Sequence, residues 1–414
     1  MFAALLVAAT LAASSPVDDA KFLIRAGRLD EARALLQRQA GDTETHFLLG
    51  LIALEQHDYR SAITQFRKAL AIDPRSARLR LELARAFYLA KDYSNAELQF
   101  ERALAGDLPP SVKANARRFL AQVRREKRWS FGFNLGVAPD TNVNAGSSAR
   151  ETTIFGLPFQ LGADAKMRSG VGAIGGASAE FSPAITEHWR WKMGLAAQRR
   201  EYGGARFDET IASGWSGPQW LGDKIDVSVA ATVLMRWYGG SLYQRAVGGR
   251  LQTVIYGGSR TAIPLAISGQ QFDYPTYPAQ SGPVWSASAG LVRILDPATS
   301  ATLLLNGAVQ QARARDLSNR SLLASLSVTR DLRGGFTLTV APAYAISNYE
   351  APDAFSGVVR RDRSMELRVT LLNRRAVVSR FTPTVTYTHA RRTSTIGLYD
   401  LAQDRLEFGL TTQF

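Results

Sequence analysis

From Trp129 to Phe414 one pattern recurs: an apolar residue at every second position, with turn-forming residues between the runs. A period of two is the signature of a strand with one apolar and one polar face. The last run shows it plainly. Leu406, Phe408, Leu410 and Phe414 alternate with Arg405, Glu407, Gly409 and Gln413. A soluble all-β domain can carry such a strand. An outer-membrane barrel requires one, because its last strand must pair with its first to close the wall and abolish both edges. Phe408, Leu410 and Phe414 are therefore the expected barrel-closure signal.

Similar segments run over 130–137, 171–181, 189–202, 225–237, 285–294, 301–311, 322–332, 336–349, 365–373 and 381–389. Short Gly-, Asp- or Pro-bearing turns lie at 221–224, 295–297 and 333–335, and longer polar connections at 147–168, 273–282 and 350–363. Short turns alternating with longer loops are the asymmetry of an outer-membrane barrel. About 14 strands fit, at roughly 20 residues each with the connection, which leaves the ~9–11 residues a tilted strand needs to cross a bilayer. All 7 Trp fall at or after Trp129. Trp189, Trp191, Trp215, Trp220, Trp237 and Trp285 are expected near strand ends, as interfacial girdles.

Composition narrows the classes. The chain of 414 residues has no Cys, which excludes disulfides, thiolate metal sites, Cys nucleophiles and a lipid anchor on Cys. Mean hydropathy is −0.11. Past residue 13 no apolar run approaches the ~20 residues of a spanning helix, so any spanning is by strands. The net charge of +14 fits Arg-rich lumen walls and helix faces, contact with anionic lipopolysaccharide, or passage of an anionic polymer. No basic run is interleaved with aromatics, so nucleic acid is not an expected partner. Residues 1–15, with an apolar core over 2–13 followed by small residues, read as a signal peptide, although no Lys or Arg precedes the core. A buried first helix is the alternative.

Residues 16–128 are helical in pattern and repeat at an offset of 34. His57-Asp58-Tyr59 aligns with Lys91-Asp92-Tyr93, Ala62 with Ala96, Phe66 with Phe100, and Gly50 with Ala84. This is the tetratricopeptide pattern, with small residues where paired helices touch and Pro74 and Pro109 at the turns. Residues 27–36 look like the second helix of an earlier, degenerate unit, and 111–128 like a capping helix over the last apolar face. By position Glu44, Phe47, Leu51, Glu55, Arg78, Leu81, Arg85 and Tyr88 line a concave groove, read as a docking surface for a partner segment; solvated helix faces are the plain alternative. The cluster Arg117, Arg118, Arg124, Arg125, Lys127 and Arg128 is either a solvated cap or a face toward anionic groups at the membrane. The fold class is thus α+β multidomain: a helical tetratricopeptide solenoid, then an antiparallel transmembrane β-barrel over 129–414.

Catalysis needs a base held by a partner, and the 4 His offer no such arrangement in sequence. No metal-ligand pair shares a strand face, and no Gly-rich phosphate loop joins a strand to a helix. The run from Gly170 to Gly176 reads as a crowded barrel wall. Neither an enzyme nor a cofactor is expected.

At the junction an alternating strand, Trp129 to Val137, runs into Pro139-Asp140-Thr141-Asn142-Val143-Asn144. Pro-Asp starts a turn, and Asp and Asn side chains satisfy backbone groups there. The order of parts resembles the surface lipoprotein assembly modulator family: signal peptide, tetratricopeptide domain, then an Asp-(Ser/Thr)-Asn-(Val/Ile)-Asn motif opening the barrel. Asp140, Asn142 and Asn144 match that motif. With only two full repeats, the helical part is shorter than the family pattern. The resemblance implies a monomeric translocon-like barrel in the outer membrane, with its helical domain in the periplasm engaging a client lipoprotein or its carrier. It implies no cofactor, and a gating or structural role for the three motif residues. The ending on Phe414 is similar to the signal read by barrel-assembly machinery. A tetratricopeptide-barrel polysaccharide exporter is the rival reading, and a plain solute porin leaves the helical repeat unexplained.

Overall fold

The structure, a computed structural model, describes residues 15–39, 41–149, 151–154, 157–163, 165–377 and 381–412. The expected leader up to residue 14, and Phe414 of the closure signal, lie outside them.

Seven helices, among the described residues, precede the first strand: α1 (Pro16–Arg25), α2 (Leu29–Gln37), α3 (Thr43–Glu55), α4 (Tyr59–Ile72), α5 (Ala77–Leu89), α6 (Tyr93–Leu104) and α7 (Pro110–Glu126). They pack as the pairs α1/α2, α3/α4 and α5/α6, capped by α7. The 34-residue period is visible in the backbone. His57 and Lys91, one period apart, both take φ of 59° at the turn between paired helices, and Gly27 takes 74° at the turn of the first pair. Asp58 and Asp92 then cap α4 and α6, accepting from Ser61 N at 3.0 Å and Asn95 N at 3.3 Å. Arg28, in the degenerate unit, makes no side-chain cap. Phe66, fully buried, fills the α3/α4 contact. A Cβ on Gly50 would stand 2.5 Å from its ring, so glycine there is a packing requirement.

β1 (Trp129–Asp140) starts three residues after α7. A two-stranded antiparallel sheet of β2 (Glu151–Ile154) and β3 (Leu157–Gln160) stands in the connection read as one of the longer polar ones. The wall continues through β4 (Gly170–Phe181), β5 (Trp189–Tyr202), β6 (Glu209–Leu221), β7 (Ile225–Tyr238), β8 (Ser241–Tyr256) and β9 (Thr261–Asp273). It then runs through β10 (Gly282–Asp296), β11 (Thr299–Gln310), β12 (Asn319–Asp331), β13 (Phe336–Pro352), β14 (Val359–Asn373), β15 (Thr382–Ser394) and β16 (Leu401–Thr411). β1 and β4 to β16 pair antiparallel with their neighbours, and β16 pairs with β1, giving a closed barrel of 14 strands. The connection expected over 350–363 is shorter, because β13 and β14 extend into it. The turn after β12 carries Gly334 and Gly335 at φ of 80° and 82°, a backbone that only glycine adopts without strain.

The alternation sorts the wall into two faces. On β1, Trp129, Phe131, Phe133, Leu135 and Val137 are each between 47% and 61% exposed, and Phe408 and Leu410 of β16 continue that belt. An apolar belt of this extent is a liability in water and a solvent-matched surface in hydrocarbon. Among the described residues no helix is long and apolar enough to cross a membrane. Trp129, Trp189, Trp191 and Trp220 gather at the end near the helical domain, and Trp237 and Trp285 at the far end, as two girdles. Trp215 departs from the expectation. It sits mid-strand on the face of Gly194, inside the barrel, where its ring occupies the space a Cβ on Gly194 would need. The inner face also carries Lys192 paired with Glu180 at 3.1 Å, and Arg200 and Arg236 on Glu209 at 3.3 and 2.7 Å.

Candidate functional site at the barrel seam and the domain junction

The first and last strands meet in a thinner ladder than their neighbours. β1 pairs with β4 along its whole length, Trp129 to Asp140. Against β16 its register covers Asn134 with Thr411 through Val137 with Phe408, then resumes only at Asp140 with Arg405. Pro139 lies in the gap and has no N–H to give the ladder.

The junction motif closes the seam above that gap with side chains. Asp140, 3% exposed, accepts from Gln403 Nε2 at 3.0 and 2.8 Å and from the Asn142 N–H at 2.8 Å. Tyr202 of β5 donates its hydroxyl to the same carboxylate at 3.4 Å. Gly172 leaves room for that ring, as a crowded wall requires. Asn142 Nδ2 donates to Ala402 O at 3.1 Å and Gly146 O at 2.9 Å, while its Oδ1 accepts from Gly146 N at 2.8 Å. Thr141 exchanges bonds with Asp404, N–H to carbonyl at 3.0 Å and hydroxyl from N–H at 2.8 Å. Asn144 pins the returning connection, donating to Lys166 O at 2.7 Å and accepting from Arg168 N at 2.9 Å. Asp140 and Asn142 thus come together with the strand that carries Phe408 and Leu410, while Asn144 stands one step outside, on the loop.

At the opposite end the helical domain is fastened to the barrel. Asp331, the last residue of β12, is 7% exposed and accepts from Arg80 of α5 at 2.8 Å, Arg374 after β14 at 3.1 Å, and Arg102 of α6. Thr337 of β13 donates to its other oxygen at 2.8 Å. Arg190 of β5, 5% exposed, donates to the carbonyls of Lys127, at 2.7 Å, and Arg125, so it caps the C-terminus of α7. None of Asp331, Arg80, Arg102, Arg190 or Gln403 had a local sequence signal, since each partner lies far along the chain.

The predicted groove divides. Phe47 is 3% exposed, against Phe66 in the helical core, with Arg78 over its ring at 4.3 Å. Tyr88 is covered by α7: Gln122 donates to its hydroxyl at 2.7 Å, and that hydroxyl donates to Glu126 at 3.1 Å. Glu44 pairs with Lys21 of α1 at 3.1 Å. Leu51 and Leu81 are half-buried against the helical core, whereas Glu55, Arg78 and Arg85 are exposed. In the basic cluster Arg124 bonds Glu97 and Glu101 at 3.0 and 2.9 Å and lies over Tyr256 of β8 at 4.6 Å, and Lys127 bonds Glu97 at 3.1 Å. Burial pushes the Glu101 carboxyl up, and Glu97 adds to the rise. These cations serve the domain junction, and Arg117 and Arg118 face solvent. His389 and Tyr387 both meet Asp404, at 2.8 and 2.6 Å, on the outer face beside the seam. Among the described residues no group of three metal-ligating side chains occurs.

A family model described as "Surface lipoprotein assembly modifier" matches residues 129–414, and a tetratricopeptide-repeat model matches 47–112. A protein of Moraxella catarrhalis named "Surface lipoprotein assembly modifier" is 26% identical over 213 residues, 43% of this chain and 42% of that protein. "Surface lipoprotein assembly modifier 1" of Neisseria meningitidis serogroup B is 24% identical over 219 residues, 52% of this chain and 43% of its own length. The chain therefore spans less than half the length of these relatives. Among solved structures, the outer membrane channel DcaP of Acinetobacter baumannii has a TM-score of 0.40 at 9% identity, covering 68% of this chain and 96% of that one. A bacterial polysaccharide outer membrane secretin has a TM-score of 0.34 at 10% identity, covering 68% and 98%.

Proposed function

Because the chain belongs to the surface lipoprotein assembly modifier family, we propose that it assists the export or display of lipoproteins at the cell surface, with the β1–β16 seam as the moving part of its wall. The match over the whole barrel carries this reading. In it the barrel sits in the outer membrane as a monomer, placed there by the barrel-assembly machinery, among phospholipid and lipopolysaccharide. The helical domain faces the periplasm and receives the client or its carrier on the exposed part of its groove, around Glu55, Arg78 and Arg85. A lipid-anchored client has a chain that needs a polar path and acyl groups that need an apolar one. A seam that can part serves both, since it joins the polar lumen to the hydrocarbon outside. The interrupted ladder at Pro139 makes this the cheapest place to open, and Asp140, Asn142 and Gln403 make it a latch.

No acid–base or nucleophilic step is assigned to any residue. The test is deletion of the gene followed by protease shaving of intact cells, with the released lipoproteins identified by mass spectrometry. A lipoprotein lost from the shaved fraction but retained in whole-cell lysate is the expected result and names the client. An unchanged shaved fraction contradicts the reading, and export of an anionic polymer then becomes the assay to run.

A further inference from the structure

The junction between helical domain and barrel holds more positive charge than its partners neutralise. Arg80, Arg102 and Arg374 share one carboxylate, Asp331. Asp296 adds a more distant attraction on Arg80. Even with it counted, these three guanidiniums face two carboxylates. Burying cations without full compensation is costly. Two N–H groups are also left over. Arg80 is 1% exposed, and its Nε has no hydrogen-bond partner; the buried Nε of Arg374 has none either.

A cavity lies among these groups; its polar lining includes Arg67, Arg80, Gln99, Asp331, Thr337 and Arg374, and the rest of its wall is mostly apolar. The centre of a water-sized sphere can move through about 30 Å³ of it. One water needs roughly 10–15 Å³ by that measure, so the space suits a group of two or three heavy atoms across and nothing as large as a sugar. Its outer lip is Phe336, 39% exposed on the lipid-facing side of β13.

We propose that this cavity is a binding site for a phosphate-type oxyanion, held between Arg67 and Arg80 of the helical domain and Arg374 at the barrel's near end. Planar guanidiniums match such oxyanions in geometry as well as charge. An anion there completes the charge balance and joins α4 and α5 to the turn after β14, so it tightens the hold of the helical domain on the barrel. Burial pulls the Arg374 guanidinium down to about 9, against the attraction of Asp331 and with repulsion from Arg102, Arg80 and Arg67. That is the imbalance an added anion relieves. The anion is either free phosphate or the headgroup phosphate of a lipid reaching in past Phe336.

The test uses the full chain in detergent micelles. Inorganic phosphate is titrated calorimetrically against chloride at matched ionic strength, and the same protein is exposed to vesicles of phosphatidylglycerol or of phosphatidylcholine. Saturable phosphate binding, weakened at least fivefold in both Arg374→Gln and Arg67→Gln, is the expected result for a free anion. Binding of phosphatidylglycerol vesicles without a phosphate response, lost in the same variants, supports the lipid source. If Arg374→Gln fails to fold, Arg67→Gln, which leaves the Asp331 contacts intact, decides alone. Absence of saturation by either probe overturns the proposal, and so does wild-type affinity in the folded variants.

Discussion

Gln403 on the last strand donates its side-chain amide to both oxygens of Asp140 on the first, at 3.0 and 2.8 Å. Where the backbone ladder lapses at Ala138 and Pro139, this pair and the bonds of Asn142 take over the closing of the barrel. Removing one partner leaves the other buried and unsatisfied, which costs about 1–3 kcal/mol. Gln403→Ala and Asp140→Asn are therefore expected to lower unfolding stability in detergent by that amount. Hydrogen exchange should rise at 140–146 and 401–405 and stay unchanged in β10 to β12. Uniform exchange across all strands would contradict a latch confined to the seam.

Asp331 holds three arginines from two helices and a turn. Asp331→Asn leaves those cations with no charged partner in contact, a change worth roughly 3–5 kcal/mol for a buried pair broken from one side. The expected outcome is a loosened helical domain on an intact barrel. Limited proteolysis should cut faster around residues 126–129, while the barrel retains its thermal transition. Loss of the barrel transition itself would show that the junction also supports the wall.

The helix caps give a pH dependence with a definite sign. Hydrogen bonds from Ser61, through its hydroxyl and its backbone N–H, hold the Asp58 carboxyl below its ordinary range, and those from Thr45 do the same for Asp42. A depressed folded value means that the stabilisation is complete above the unfolded value, about 3.9. It is lost as pH falls through the folded value. Asp58→Ala is expected to cost about 0.5–2 kcal/mol at pH 7, and its difference from wild type should shrink as pH drops below 3.9. Thermal melts of the two proteins across pH 2–7 check this, and a constant difference would refute it.

Gly50 meets the ring of Phe66, whereas its counterpart one repeat later is Ala84. Gly50→Leu overpacks a fully buried contact and should destabilise α3/α4 by roughly 1–3 kcal/mol. The readout is helical circular dichroism during urea unfolding.

Much of this architecture was legible because it is periodic. The 34-residue offset placed the helix pairs, and even the left-handed turn residues His57 and Lys91 fall one period apart. The two-residue alternation placed the barrel. It was least clear in β6, β8 and β9, where runs such as Gly248-Gly249 and Ser213-Gly214 blur the contrast between faces. Trp215 was misplaced because an aromatic residue signals an interface only when it faces lipid. Phe47 was misplaced because α3 is apolar around most of its circumference, so sequence alone could not choose its buried side. The motif residues were visible, but not what they do. Asn142 finds Ala402, and Asp140 finds Gln403, only when the barrel closes. The Asp331 cluster had no local sign, since its arginines arrive from α5, α6 and the turn after β14.

The most direct measurement is surface display by a seam-locked protein in the deletion strain. Leu135 and Leu410 are directly paired across β1 and β16, at a spacing of about 4.5–5.5 Å for such pairs, which a disulfide accepts. The chain has no Cys of its own, so Leu135→Cys with Leu410→Cys forms a single defined bridge. The account predicts that the oxidised double variant assembles in the outer membrane but fails to restore the lost lipoprotein to the shaved fraction, and that reductant restores it. Full display through a seam shown to be cross-linked would contradict it.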